Sequence, residues 1–145
     1  LEVKKVTKES VRLEANELKL AVVEFKNELL KKGEATDLFA TDRSRESLEG
    51  IVGNVMQSFG GQSVYKSVEE KAAHLLYFII KNHPFVDGNK RTGAFSFIWY
   101  LNKNKRLDVK KVSPSALTAF TILVAESDPA HKVNMVKLIM KLIER

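Results

Sequence analysis

Apolar residues recur at close to helical spacing along most of the chain. Over residues 8–32, Val11, Leu13, Ala15, Leu18, Val22, Phe25 and Leu29 fall at intervals near 3.6, which predicts an amphipathic helix. Thr7 can cap its start, and Gly33 after Lys31-Lys32 can stop it. Residues 34–41 read as a polar connection. A second helix, from about Ser44 to Phe59, would bury Leu48, Ile51, Val55 and Phe59 and end at Gly60-Gly61. Gly50 and Gly53 inside it each cost about 1 kcal/mol against alanine, unless small residues there admit close helix packing. The stretch Gln62–Lys66 is β-prone at Val64 and Tyr65 and reads either as a loop or as half of a small hairpin.

The strongest apolar segments follow. Ser67-Val-Glu-Glu70 is a capping box that opens a helix through Ala72, Leu75, Leu76, Phe78, Ile79 and Ile80. That helix must end near Asn82, because Pro84 disfavours the α conformation at His83. Another runs from about Gly88 to Leu101 and carries Phe95, Phe97, Ile98, Trp99 and Tyr100. Both are apolar on most sides and belong at the centre of a bundle. Ser113-Pro114 and Asp128-Pro129 each set a capping side chain before a proline at the first helical position. They start two last helices, one to about Ala125 and one with Val133, Val136, Leu138, Ile139, Leu142 and Ile143. The pattern predicts one all-α domain over residues 1–145, with room for a single β-hairpin.

Composition narrows the class. A chain of 145 residues is the size of one core, and 44% hydrophobic residues exclude a disordered polymer. The absence of cysteine excludes a disulfide framework and thiolate zinc, and fits a reducing, cytoplasmic setting. No apolar run approaches the roughly 20 residues of a membrane span, and no signal peptide is visible. The chain opens on Leu1 rather than Met, so it reads as part of a longer protein. Its net charge of +6 includes clusters at Lys103-Asn104-Lys105-Arg106 and Lys110-Lys111, read as solvated helix ends. Aromatic residues are not interleaved with them, so nucleic acid is not an expected partner. A positive field does suit a polyanionic nucleotide.

The chemistry is concentrated in residues 83–93, His-Pro-Phe-Val-Asp-Gly-Asn-Lys-Arg-Thr-Gly, between the two most apolar helices. A loop that leads into a helix presents unpaired backbone N–H groups and the positive end of a dipole, which is an anion site. Gly88 lets a phosphate approach the backbone. Asn89 offers amide donors, Lys90 a charge, and Arg91 a two-pronged grip on phosphate. Two cations at a helix N-terminus are unfavourable unless an anion compensates them. Asp87 is the natural ligand for Mg²⁺, which takes one or two carboxylates beside phosphate oxygens and waters. His83 is of the type that serves as general base for a hydroxyl, and Phe85 is expected to turn inward and anchor the loop. Singly, each has a plainer reading: a loop histidine, a turn aspartate, a basic loop. Occurring together at a helix entrance, they read as a site. His74, on an apolar helix, and His131 read as packed or surface histidines rather than metal ligands.

The string His83-Pro-Phe-Val-Asp-Gly-Asn-Lys-Arg91 resembles the signature of the Fic/Doc (Fido) superfamily, whose Fic branch reads H-P-F-x-[DE]-G-N-G-R-x-x-R. The resemblance covers about residues 40–145, with 1–33 as an additional N-terminal helix. It implies an all-α Fido fold with a short β-hairpin flap before the central helix. It also implies transfer of a phosphate-containing group from ATP or another nucleoside triphosphate, with Mg²⁺, to a Ser, Thr or Tyr hydroxyl of a target protein. On this resemblance His83 is the base and Asp87 the metal ligand. Gly88, Asn89, Lys90 and Arg91 hold phosphate, and Ser63, Val64 and Tyr65 form the flap that aligns the target by strand addition.

Two positions depart from the Fic pattern. Lys90 stands where AMP-transferring members have a second glycine, and Ala94 where they have a second arginine. Asn-Lys-Arg-Thr looks instead like the Doc toxin branch, whose members transfer the γ-phosphate to a translation factor and are held by an antitoxin. The hybrid favours a Doc-like kinase and keeps protein AMPylation, or an idle binding module, as alternatives. Glu49-Gly50 resembles the end of an inhibitory helix of pattern [ST]-x-x-x-E-[GN]. Arg45 at the Ser/Thr position and Ala94 opposite make Glu49 an ordinary surface residue instead.

Overall fold

The computed structural model describes residues 6–44, 47–108 and 110–144. Its helices are α1 (Ala15–Lys31), α2 (Ser47–Val55), α3 (Val68–Asn82), α4 (Asn89–Lys103), α5 (Pro114–Glu126) and α6 (Lys132–Ile143). A two-stranded antiparallel hairpin, β1 (Ser58–Phe59) and β2 (Gln62–Ser63), lies between α2 and α3. This is the all-α bundle with one hairpin that the sequence predicts. The core sits around α3, which packs on α2, α4, α5 and α6, while α1 covers α2 and α4. Leu75, Leu76, Ile79 and Ile80 of α3 are buried, as are Phe97, Tyr100 and Leu101 of α4. At the crossing of these helices a Cβ on Gly93 would lie 3.2 Å from Ile80 Cγ1, so a hydrogen there lets the helices meet.

Three caps act as their sequences predict. Ser67 accepts from the Glu70 N–H at 3.0 Å, Ser113 from Ala116 at 3.1 Å, and Asp128 from Ala130 at 2.9 Å. The last of these opens a short 3-10 turn, Pro129–His131, before α6.

The first helix is shorter than its periodicity suggests, and Thr7 does not cap it. Residues 8–14 form no helix and bend at Ser10 and Val11, because their backbone groups find partners outside a helix. Thr7 donates its N–H to Glu69 Oε1 (2.6 Å) and accepts from Val68 N–H (2.8 Å). Asn104 Oδ1 accepts the N–H groups of Ser10 and Val11, each at 2.9 Å, and its Nδ2 donates to Val11 O (3.1 Å). The basic cluster at 103–106 is therefore not a solvated helix end throughout: Asn104 and Arg106 are buried.

The second helix also stops early, at Val55. Phe59 does not join its buried stripe; it sits in β1 and is 86% exposed. Gly60 and Gly61 turn the hairpin, at φ 61° and 80°, rather than end a helix. Gly50 and Gly53 do not serve close packing, since an added Cβ would meet nothing within 4 Å. The strand falls on Gln62–Ser63 instead of Val64–Tyr65, because the two-glycine turn fixes the register Ser58↔Ser63.

Candidate active site

Where α3 ends, His83 takes a left-handed conformation, φ 50° and ψ 65°, and donates its N–H to Ile79 O at 3.3 Å. Pro84 removes the right-handed helical option at this residue, so the chain turns sharply and leaves the imidazole exposed. Phe85 is buried and pins the loop to the core. Asn89 then closes the loop on itself: its Oδ1 accepts from Phe85 N–H (3.0 Å) and its Nδ2 donates to Phe85 O (2.9 Å). The Asn89 side chain is thereby a brace, and what it leaves toward an anion is its backbone N–H.

A second clamp comes from the end of the polar connection read over residues 34–41 and the two residues after it. Residues 39–43 pair with residues 84–87 through Ala40 N–H to Asp87 O (2.9 Å), Val86 N–H to Thr41 O (2.8 Å) and Arg43 N–H to Pro84 O (2.9 Å). Phe39 is fully buried beneath Gly88 and meets Phe25 of α1 edge-on at 5.7 Å, and Phe25 stacks on Phe95 at 4.4 Å. The loop is thus held by the core from one side and by a short backbone ladder from the other.

Gly88 is required for two reasons that the sequence does not reveal. Its φ is 84°, and a Cβ there would lie 2.3 Å from Phe39 Cε2. The side of Gly88 where a Cβ would sit is therefore filled by an aromatic ring, while the residue itself lines the cleft. Gly88→Ala should destabilise the domain by roughly 2–4 kcal/mol, combining overpacking with left-handed strain. Urea denaturation measures this, and a loss under about 0.5 kcal/mol would show that Phe39 yields without cost.

α4 starts at Asn89 with no side-chain cap and no acidic residue in its first turn. The N–H groups of Asn89, Lys90 and Arg91 precede the first i→i−4 bond, Thr92 N–H to Gly88 O at 2.8 Å. They open onto a cleft of about 420 Å³, lined by His83, Asp87, Gly88, Asn89, Lys90 and Arg91 from the loop, with Ile80, Phe85 and Ala125 as apolar walls. The structure therefore brings every loop residue singled out in the sequence to one cleft. Sequence reasoning missed Phe39, Ala125 and Arg43, a third cation on the cleft wall. Arg43 belongs to the clamp, and no local pattern marks that pairing.

The cations are not equivalent. Arg91 lies over the Phe39 ring at 4.4 Å and donates from Nη1 to Glu34 O at 2.8 Å, so its guanidinium is half engaged at the cleft edge. Lys90 is exposed. Among the described residues Asp87 is the one carboxylate lining the cleft, its backbone fixed by Ala40. Among the described residues no cluster of three or more His, Asp or Glu could hold a metal alone. A single carboxylate can hold Mg²⁺ only where phosphate oxygens and waters complete its shell.

Of the flap residues, Ser63 lies in β2, and Val64 is exposed with its N–H bonded to Gln57 O at 2.9 Å. Tyr65 turns away from the strand and stacks on His74 at 3.6 Å. His74 is buried, with Nδ1 2.7 Å from Glu70 O; burial, together with the nearby Lys132 charge, holds its pKa down to about 4. It is a packed histidine, as expected. Glu49 pairs with Lys19 of α1, an ordinary surface ion pair; Arg45 lies outside the described residues. Among the described residues no helix is long and apolar enough to cross a membrane.

No curated protein and no solved structure is a match for the chain. The family model described as Fic/DOC family matches residues 19–101, from within α1 to within α4, a span that includes the hairpin and the whole of the cleft loop. That is more than half of the chain, and the chain belongs to the Fic/DOC family.

Proposed function

We propose that this domain transfers the γ-phosphoryl group of ATP to a hydroxyl side chain of a target protein. The observation that carries the reading is the first turn of α4. It is uncapped, has no acid, carries Lys90 and Arg91, and opens beside the His83 imidazole in one cleft. Such a turn is complete only with an anion on it.

The backbone N–H groups at Asn89 to Arg91 would hold the transferred phosphoryl oxygens where charge gathers in the transition state. Lys90 and Arg91 would add charge, with Arg91 leaving Glu34 to do so. Asp87 would hold Mg²⁺, which supplies charge neutralisation on the nucleotide phosphates when bound. His83 takes the proton from the target hydroxyl. The hydroxyl oxygen forms a bond to the γ-phosphorus, and the bond from that phosphorus to the β–γ bridging oxygen breaks. ADP leaves with the electron pair, and the proton stays on His83 until solvent removes it. Catalysis of this kind rests on positioning and electrostatics, which the doubly clamped loop supplies. The exposed hairpin is the surface suited to align an extended target segment.

Transfer of AMP from the same cleft is the second reading. It is favoured by Gly88 and the His83-Pro-Phe start of the loop, and disfavoured by Lys90, which places a long side chain at the cleft where a glycine would leave space. In that case the bond formed is to the α-phosphorus and pyrophosphate leaves. Incubation with a cell lysate, Mg²⁺ and ATP labelled at either the α or the γ position separates the two. The proposal expects protein-bound label from γ alone. Label from α means AMP transfer, and no label from either overturns the enzyme reading.

A further inference from the structure

Among the described residues three guanidinium or ammonium groups line the cleft, and of the two guanidinium groups only that of Arg43 stands without a partner. Arg91 is drawn to Glu34 O and the Phe39 ring. Arg43 lines the same cleft from the 39–43 clamp, beside Pro84, and its guanidinium has no hydrogen-bond or ion-pair partner among the described residues. Its backbone is nevertheless fixed: the Arg43 N–H donates to Pro84 O at 2.9 Å, and Asp42 pairs with Phe85 just before it. An arginine with a fastened backbone and an unpartnered head, lining a cleft whose described residues include a single carboxylate, is placed to meet an anion.

The turn at α4 can seat one phosphate group through its N–H donors. A nucleoside triphosphate carries three in a chain, so the remaining negative charge must lie elsewhere in the same cleft. Arg43 is carried by the 39–43 clamp and fastened at Pro84, whereas Arg91 is carried by α4 and drawn to Glu34. We infer that Arg43 is a polyphosphate-binding residue of this cleft, gripping a phosphate other than the one seated on α4. The inference rests on the nucleotide reading above, and it assigns a role to a residue outside the loop motif, on the 39–43 clamp.

The test compares wild type, Arg43→Ala and Arg43→Lys by titration calorimetry with ATP and with AMP, each with Mg²⁺. A ligand with one phosphate can sit on α4 alone; a ligand with three must also use Arg43. Arg43→Ala should weaken ATP by on the order of tenfold and AMP by less than about twofold. Arg43→Lys should recover part of the ATP affinity, since it keeps the charge and loses the two-pronged geometry. Equal ATP affinity in wild type and Arg43→Ala overturns this inference and leaves the nucleotide reading standing. Equal weakening of ATP and AMP overturns it as well, because the effect is then not on the polyphosphate. A wild type that binds no ATP overturns both. Arg43 is exposed, and an unchanged melting temperature in each variant confirms that the fold is intact.

Discussion

His83→Ala should lower group transfer by roughly 10²–10⁴-fold, the usual contribution of a positioned general base, while ATP affinity stays within about twofold. The split follows from where the loop is fastened. Phe85 is braced by Asn89, Asp87 by Ala40, and Pro84 by Arg43, so none of the contacts that shape the cleft passes through the imidazole. Binding therefore depends on the α4 turn and its cations, and chemistry on His83. The measurements are γ-label incorporation and calorimetry on the same preparation. Retention of more than about a tenth of the transfer rate would remove His83 as the base. A parallel collapse of ATP affinity would make it a binding residue instead.

The order of helices was legible because periodicity and caps agree with packing. Ser67, Ser113 and Asp128 cap where they stand in the sequence, and the loop between α3 and α4 is marked at its two ends by Pro84 and Gly88. The loop residues were legible as a site for a similar reason: they are contiguous, so their chemistry is visible without tertiary information. What was not legible depends on long-range pairing. Phe39 looks like part of a polar connection and Arg43 follows it, and only their pairing with residues 84–87 sets Phe39 beneath Gly88 and Arg43 on the cleft wall. Asn89 has the right chemistry for an anion, but the Phe85 backbone four residues earlier takes its amide. Phe59 fits a helical stripe by spacing, yet the Gly60-Gly61 turn claims it for the hairpin and leaves it in solvent. Residues 8–14 keep helical spacing while Glu69 and Asn104 take their backbone groups.

The same long-range logic sets the largest expected loss of stability. Glu69 is fully buried at the start of α3 and joins three parts of the chain. Its Oε2 accepts from Arg106 Nε at 2.7 Å, its Oε1 from Thr7 N–H at 2.6 Å, and Arg106 Nη2 donates on to Ile143 O at 2.7 Å at the end of α6. Removing one member of a buried ion pair leaves the other charge without compensation, which costs about 3–5 kcal/mol. Glu69→Ala should lose that much in urea denaturation, a large share of the roughly 5–15 kcal/mol of a domain this size. Pairing it with Arg106→Met should recover part of the loss, because the stranded guanidinium goes too. The cleft lies at the other end of α3, so the folded fraction of Glu69→Ala should bind ATP as wild type does. A loss below about 1 kcal/mol, or a double variant no better than the single, would mean that water reaches Arg106 and that the pair is not the tie between the N-terminal segment, α3 and α6.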